Sequence, residues 1–156
     1  MNAITKAILL SLLPISELRG GIPFALASGI NPLLSYLLCS FANLLVIPIF
    51  FFFLDYINKY FMKLRPYRIL FEKKLNHSKR KIEKKIGTKW QYFALMFFVA
   101  IPLPVTGAYT GTLLAWFFRL DRRKSYLSLF LGVFIAGLIT LFVSLAGITF
   151  FRFLIS

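Results

Sequence analysis

Residues 102–111 read Pro-Leu-Pro-Val-Thr-Gly-Ala-Tyr-Thr-Gly and interrupt an apolar stretch that carries no charge from Gln91 to Phe118. A run of that length could cross a bilayer, since about 20 apolar residues suffice. The two prolines remove backbone donors and the two glycines loosen the chain, so a straight helix is not expected. We predict a re-entrant hairpin whose short arms enter and leave by the same face. Broken backbone at mid-depth is tolerated only inside protein or beside water, which predicts a cavity or binding site there.

The composition excludes a soluble domain. Of the 156 residues, 59% are hydrophobic, and the mean hydropathy is +0.78. A soluble domain is nearer half apolar. The chain is therefore expected to be a single integral membrane domain, with no disulfide framework or metal cluster, because Cys39 and His77 are its only cysteine and histidine.

The positive charge is concentrated in two clusters. Twelve of the nineteen Lys and Arg residues lie between Lys59 and Lys89, and four more lie at 119–124. Such clusters beside apolar runs are typical of cytoplasmic loops and attract anionic lipid. Residues 67–86 show apolar residues at helical spacing and predict an amphipathic helix ending at Gly87. Binding to nucleic acid is not expected, since no aromatic-interleaved basic motif is present.

A second interruption lies near the N-terminus. Residues 14–23 read Pro-Ile-Ser-Glu-Leu-Arg-Gly-Gly-Ile-Pro. A single crossing helix would place Glu17 and Arg19 near mid-bilayer, at about 2.5–3.5 kcal/mol each. Another hairpin tip is the better interpretation. The same charges split the core that a signal peptide needs, so residues 1–31 are expected to belong to the mature structure.

The charge distribution predicts the topology. A single crossing between the two basic clusters would put them on opposite faces, whereas a hairpin puts both inside. The predicted fold is an all-α integral membrane protein with an inverted repeat of two units, each a re-entrant hairpin followed by a transmembrane helix. The segments are hairpin 1–31, helix 32–58, basic cytoplasmic segment 59–89, hairpin 90–118, basic loop 119–124 and helix 125–156, with both termini outside.

A sequence repeat at an offset of 90 residues supports the inverted repeat. Seven identities fall in the 25 positions from Leu13 to Leu37 when they are aligned with residues 103–127. They include a proline, a glycine and a Ser-Tyr-Leu triplet. Inverted repeats with paired broken segments are typical of transporters, with the substrate site between them.

The two hairpin tips are the predicted site. The second arm of each hairpin starts at its tip, so its N-terminal N–H groups should face mid-membrane and attract an anion. Arg19 adds a planar cation suited to phosphate. The predicted substrate-binding residues are Ser16, Glu17, Arg19, Gly20, Gly21, Thr106, Gly107, Tyr109 and Thr110. The residues predicted to shape the hairpins are Pro14, Pro23, Pro102, Pro104 and Gly111.

Two roles are open for Glu17. Burial favours its neutral form and Arg19 favours its charged form. It could carry a coupling proton, or it could pair permanently with Arg19 and hold the tip. Because no nucleophile with a paired base and no metal-ligand cluster is present, we expect neither an enzyme nor a cofactor.

Residues 14–23 and 102–111 resemble the two signature segments of the small multidrug export protein family, and the resemblance covers nearly the whole chain. The architecture is similar to that of the wider DedA and VTT superfamily, which implies two opposed re-entrant hairpins, each followed by a transmembrane helix. Some members of that superfamily move polyprenyl phosphates or phospholipids between leaflets, often driven by proton motive force. This chain departs from the usual DedA pattern, because its only hairpin-tip charges are Glu17 and Arg19.

Three functions follow from these observations. The first is transport of an amphipathic, anionic, lipid-like molecule, with a polyprenyl phosphate or phospholipid as cargo and a proton as a candidate coupling ion. The second is proton-coupled export of small cationic drugs, and the third is a membrane scaffold that does not transport. The expected partners are membrane lipids, anionic lipid at the cytoplasmic face and further copies of the chain in a homodimer or larger assembly. The expected location is the plasma membrane of a prokaryote.

Overall fold

The computed structural model describes residues 2–61, 89–103 and 106–155. Within them the chain forms helices and turns, and no strand occurs. The helices are α1 (Ala3–Leu12), α2 (Glu17–Ala27), α3 (Pro32–Phe61), α4 (Lys89–Ala100), α5 (Ala108–Phe117) and α6 (Arg122–Ile155). The predicted amphipathic helix over residues 67–86, with Gly87 at its end, and Pro104 lie outside the described residues.

Two of these helices are long enough to cross a membrane. The candidate spans are Pro32–Lys59 and Arg122–Phe151, which contain 18-residue windows with mean hydropathies of 2.5 and 2.6. The helix continues through Pro48 in α3. The four other helices have 10 to 12 residues. At about 1.5 Å per residue, each covers roughly half of a hydrocarbon core about 30 Å thick.

The second long helix begins earlier than the sequence predicts. The charge pattern predicts a basic loop over residues 119–124, but residues 122–124 form the first turn of α6. Asp121 explains the difference, because its carboxylate accepts a hydrogen bond from the N–H of Lys124 at 3.1 Å. Such capping satisfies an N–H group that a helix start leaves without a partner.

The turn after each short-helix pair has the same backbone structure at an offset of 90 residues. After α2, the N–H groups of residues 28, 29 and 30 donate to the carbonyls of residues 24, 26 and 25. After α5, those of residues 118, 119 and 120 donate to the carbonyls of residues 114, 116 and 115. The middle residue has positive φ in both turns, +80° at Gly29 and +51° at Arg119. The sequence repeat is therefore also a repeat of local structure.

Each half packs its second short helix on the long helix of the other half. In the first half α1, α2 and α3 pack together, and in the second half α4, α5 and α6 do so. Between the halves α2 packs on α6, α5 packs on α3, and α3 packs on α6. The inverted orientation of the halves and the re-entrant path of the hairpins stay predictions, because both are defined relative to a membrane.

Glycines allow the closest helix contacts. A Cβ at Gly132 would lie 2.8 Å from the Met96 carbonyl oxygen of α4, and one at Gly137 would lie 2.8 Å from the Ser40 hydroxyl of α3. A Cβ at Gly21 would lie 2.9 Å from the Ala7 carbonyl oxygen, so α1 and α2 also approach closely.

The polarity of the fold is that of a protein in lipid. The outer face of α3 exposes Phe41, Leu45, Ile49 and Phe52, each by more than half of its surface. The interior, by contrast, holds polar side chains as well as apolar ones: Ser11, Ser35, Ser40, Asn43, Thr112, Ser125, Ser128 and Thr140 are buried. An apolar outer surface around partly polar helix contacts suits the hydrocarbon of a bilayer.

Candidate functional site

The start of α2 meets the start of α5, and the contact is made by the two charges of the first hairpin tip. Glu17 is buried, at 9% exposure, and it has a φ of +46°. A left-handed conformation is uncommon for a residue other than glycine and is found mostly where function or packing imposes it. The sequence singled out Glu17 for its charge, and its backbone is strained as well.

The Glu17 carboxylate caps the N-terminus of α5. Its Oε1 accepts a hydrogen bond from the N–H of Tyr109 at 3.4 Å, and the N–H of Ala108 also donates to this carboxylate. A Cβ at Gly107 would run into the same carboxylate group, so the glycine makes room for it. The N–H groups predicted to attract a substrate anion are thus occupied by an anion of the chain itself.

Arg19 binds the chain just before α5. Its guanidinium donates to the carbonyl oxygen of Thr106 and, at 3.2 Å, to the hydroxyl of the same residue. The Thr106 hydroxyl also accepts from the N–H of Leu103 at 3.1 Å and lies 2.6 Å from the carbonyl oxygen of Ile101. One arginine therefore holds an irregular segment that supplies several of its own hydrogen bonds.

Tyr109 makes a further connection between the two hairpins. Its hydroxyl donates to the carbonyl oxygen of Leu12, at the end of α1, over 2.5 Å. Its ring lies edge-on to Phe50 of α3, with centroids 5.1 Å apart. Through Glu17, Arg19 and Tyr109, the two tips are fastened to each other.

The other predicted site residues divide into two groups. Ser16 and Thr110 line a small cavity beside Glu17 and Arg19, and the buried Ser16 hydroxyl has no hydrogen-bond partner in the described part of the chain. Gly20 and Gly21 line neither of the cavities at the tips, and a Cβ there would meet the hydroxyls of Ser16 and Ser11. These two glycines make room for those hydroxyls, and their role in substrate binding stays a prediction.

The residues predicted to shape the hairpins lie in several environments. Pro14 and Pro102 line the cavities next to the tips. Pro23 is inside α2. A Cβ at Gly111 would meet side chains of Val99 and Leu129, so this glycine allows α5 to pack on α4 and α6.

Two cavities share Glu17, Arg19 and Thr106. One has a volume of about 20 Å³ and opens among the tip residues, and the other has about 10 Å³ and reaches α3 and α6. A single water needs roughly 10–15 Å³. These volumes suit water and are too small for a larger ligand.

Sequence reasoning missed Asn43 and Thr140, which line the smaller cavity. Asn43 is 1% exposed, and neither the oxygen nor the nitrogen of its amide has a hydrogen-bond partner among the described residues. Thr140 donates to the carbonyl oxygen of Ala136 at 2.8 Å. A signal for Asn43 was available, because it is the only amide in the apolar run from Leu33 to Leu54.

These features are those of a small helical membrane protein. It has two long apolar helices, an apolar outer surface and a buried polar contact between the broken segments. Residues 17–139 match the family model described as "Putative small multi-drug export protein". Because the match covers most of the chain, the protein belongs to that family. Neither the curated proteins nor the solved structures contain a match. The similarity to the DedA and VTT superfamily stays a prediction.

Proposed function

We propose that the protein is a small membrane transporter that moves an amphipathic, anionic, lipid-like molecule, such as a polyprenyl phosphate or a phospholipid, across the bilayer. The single observation that supports this cargo is the Glu17 carboxylate on the N-terminal N–H groups of α5. A site that holds an internal anion in the closed conformation has the donors needed to hold a substrate anion in an open one.

The proposed mechanism is an exchange of anions. While it is charged, Glu17 occupies the N–H groups of Ala108 and Tyr109. A proton on the carboxyl weakens these bonds, since hydrogen bonds to charged groups are about twice as strong as neutral ones. The headgroup then binds to the freed N–H groups and to Arg19, while Ser16 and Thr110 orient it. Release of the proton restores the charge of Glu17, which binds the N–H groups of α5 again and displaces the headgroup.

Movement of the hairpins is part of this proposal. The cavities of about 10 and 20 Å³ hold no headgroup, so the tips must separate to admit one. The two halves then open in turn toward opposite faces, as inverted repeats do in transporters. The chain acts as a transporter and not as an enzyme.

Export of small cationic drugs is the second candidate, and the family description supports it. In that mechanism Glu17 would bind the drug and the proton alternately. Arg19 counts against it, because its charge at the same cavities repels a cation.

The deciding experiment is leaflet exchange in liposomes that contain the purified protein, a polyprenyl phosphate and fluorescent phospholipids, with and without a pH gradient. Arg19→Gln should abolish exchange, and Glu17→Gln should remove its dependence on the gradient. Lys6→Gln is the matched control, since Lys6 is a cation on the same hairpin that lines neither cavity.

Unchanged lipid exchange in a folded Arg19→Gln protein would reject the lipid mechanism. If no lipid moves, and cells lose drug resistance with Glu17→Gln but keep it with Arg19→Gln, the cationic-drug mechanism replaces it.

The setting of the transporter is proposed with it. Two spans and two half-span hairpins leave little protein around the tips, so we propose a homodimer or larger homo-oligomer. The basic clusters are placed on the cytoplasmic side of a prokaryotic plasma membrane, with both chain termini outside.

A further inference from the structure

Glu17 borders two cavities whose linings differ. The tip cavity, of about 20 Å³, is lined by Ser16 and Thr110 among the residues of the hairpin tips. The inner cavity, of about 10 Å³, is lined by Asn43 of α3 and Thr140 of α6. The Glu17 carboxylate therefore adjoins the predicted substrate residues and also a second polar site between the two long helices.

The inner cavity contains polar groups whose hydrogen bonding is incomplete. Asn43 is 1% exposed, and both ends of its amide lack a hydrogen-bond partner among the described residues. The Thr140 hydroxyl donates to the carbonyl oxygen of Ala136 at 2.8 Å, and its oxygen can still accept a hydrogen bond. Val133 and Ala136, which the lining also takes from α6, are apolar. A buried amide without a partner is unfavourable, so the cavity favours an occupant that both donates and accepts.

The size and charge of the inner cavity select a water molecule as that occupant. A volume of about 10 Å³ holds roughly one water, and a buried water makes about three hydrogen bonds. Asn43, Thr140 and the Glu17 carboxylate are three polar partners in one lining. Arg19 lines the same cavity, and its positive charge disfavours a metal cation there.

We propose that Asn43 and Thr140 hold a water that carries the proton to and from Glu17. This inference rests on the proposed proton coupling and deepens it, because a headgroup bound with Ser16 and Thr110 fills the tip cavity and leaves the proton the inner route. On release, the O–H bond of the carboxyl breaks and the water becomes a hydronium ion, which gives a proton to solvent as the hairpins separate. Uptake is the reverse of these steps.

The charged and titratable groups that face Glu17 leave the inner route neutral apart from one arginine. Arg19 lies on the same helix, and Tyr109 of α5 donates its N–H to the carboxylate. The described lining residues of α3, α4 and α6 carry no ionisable group, and α1 contributes none of the lining. Asn43 and Thr140 are thus positioning residues, which act on the proton through the water.

Infrared difference spectroscopy of the full chain in liposomes tests the inference without measuring transport. Spectra at two pH values give the C=O band of the protonated carboxyl, which Glu17→Gln identifies by removing it. Asn43→Leu should raise the frequency of this band and slow the loss of the proton after a pH jump about tenfold, because a hydrogen bond to water is lost. Asn43→Ser should restore both, since it leaves room for a water beside a hydroxyl. Ser40→Ala is the control, because this buried hydroxyl on the same helix lines neither cavity.

The water itself has a separate signature. Its O–H stretching band should shift in water labelled with a heavy oxygen isotope, should be missing from Asn43→Leu and should be weaker in Thr140→Val. A C=O band and a rate that Asn43→Leu leaves unchanged, or the same changes in Ser40→Ala, would overturn the inference and leave the proposed function standing.

The opposite failure is also distinguishable. If the spectra are as expected and no lipid moves, the proposed cargo is rejected while the water at Glu17 is supported. If no protonated Glu17 band forms at any pH at which the protein stays folded, the proton role of Glu17 fails, and this inference fails with it.

Discussion

At the residue scale, a few side chains carry the contact between the hairpins, and a glycine makes it possible. Gly107 has a φ of 172°, an extended conformation that any residue adopts. What it contributes is space, since a Cβ there would occupy the position of the Glu17 carboxylate. A substitution of Gly107 therefore tests the contact of Glu17 with α5 without removing any charge.

Gly107→Ala should therefore displace Glu17 from α5. We expect a loss of stability of about 1–3 kcal/mol from overpacking and a strong loss of transport. Gly147→Ala is the control, because Gly147 lies in α6 and a Cβ added there would have no atom within 4 Å, so the change should be neutral or slightly stabilising. Thermal unfolding in detergent and leaflet exchange measure the two effects. Equal activity of both variants would contradict the role of this contact.

Replacement of Asn43 should change stability and transport in opposite directions. Its buried amide has no partner in the described structure, and such a group costs roughly 1–3 kcal/mol. Asn43→Leu should raise the unfolding temperature and reduce transport, because it removes a polar group from the cavity beside Glu17. Ser40→Ala is the control, since that buried hydroxyl also lacks a partner among the described residues but does not line the cavity. It should gain stability and keep activity. A less stable Asn43→Leu protein would show that the amide is structural.

At the scale of the helices, sequence reasoning predicted the two long spans and the two interruptions from hydropathy, prolines and glycines. The start of α6 differs from the prediction, because a run of basic residues predicts a loop, whereas the capping carboxylate of Asp121 lets the helix begin at Arg122. The equivalent Asn31 accepts a hydrogen bond from the N–H of Leu33 at 2.9 Å. A side chain that caps a helix is a better marker of its start than the charge of the residues that follow.

The first of the two equivalent turns predicts the effect of a substitution at Gly29. Gly29→Ala should destabilise the protein by about 1 kcal/mol, because the added methyl meets no atom within 4 Å and only the positive φ opposes it. Unfolding in detergent measures the change. An unchanged or higher stability would show that the positive φ at position 29 costs alanine nothing.

At the scale of the whole molecule, the sequence predicts many of the residues at the hairpin tips but not the hydrogen bonds between them. Glu17, Arg19, Thr106 and Tyr109 lie together, and their role in binding a substrate stays a prediction. The pairing of a first-hairpin carboxylate with second-hairpin N–H groups was not predictable, because it depends on how α2 and α5 meet. Residue spacing within each hairpin carries no information on that contact.

Membrane topology is the prediction that belongs to the whole chain. In a Cys39→Ala background, Lys59→Cys and Lys124→Cys should react with an impermeant thiol reagent only from the cytoplasmic side. Ser28→Cys should react only from the outside. The three positions are exposed, and Cys39 is buried. Labelling of positions 59 and 124 from opposite sides would mean that the second hairpin crosses the membrane once.

The packing of short helices across the two halves also affects the order in which the fold can assemble. The ribosome delivers α2 and α3 before α6, on which both of them pack. Until then Asn43 lacks the α6 residues that line its cavity, and the surface of α2 that packs on α6 is uncovered. Assembly is therefore completed only after the last helix has been inserted, and a nascent chain that stops before α6 would be a substrate for membrane quality-control proteases.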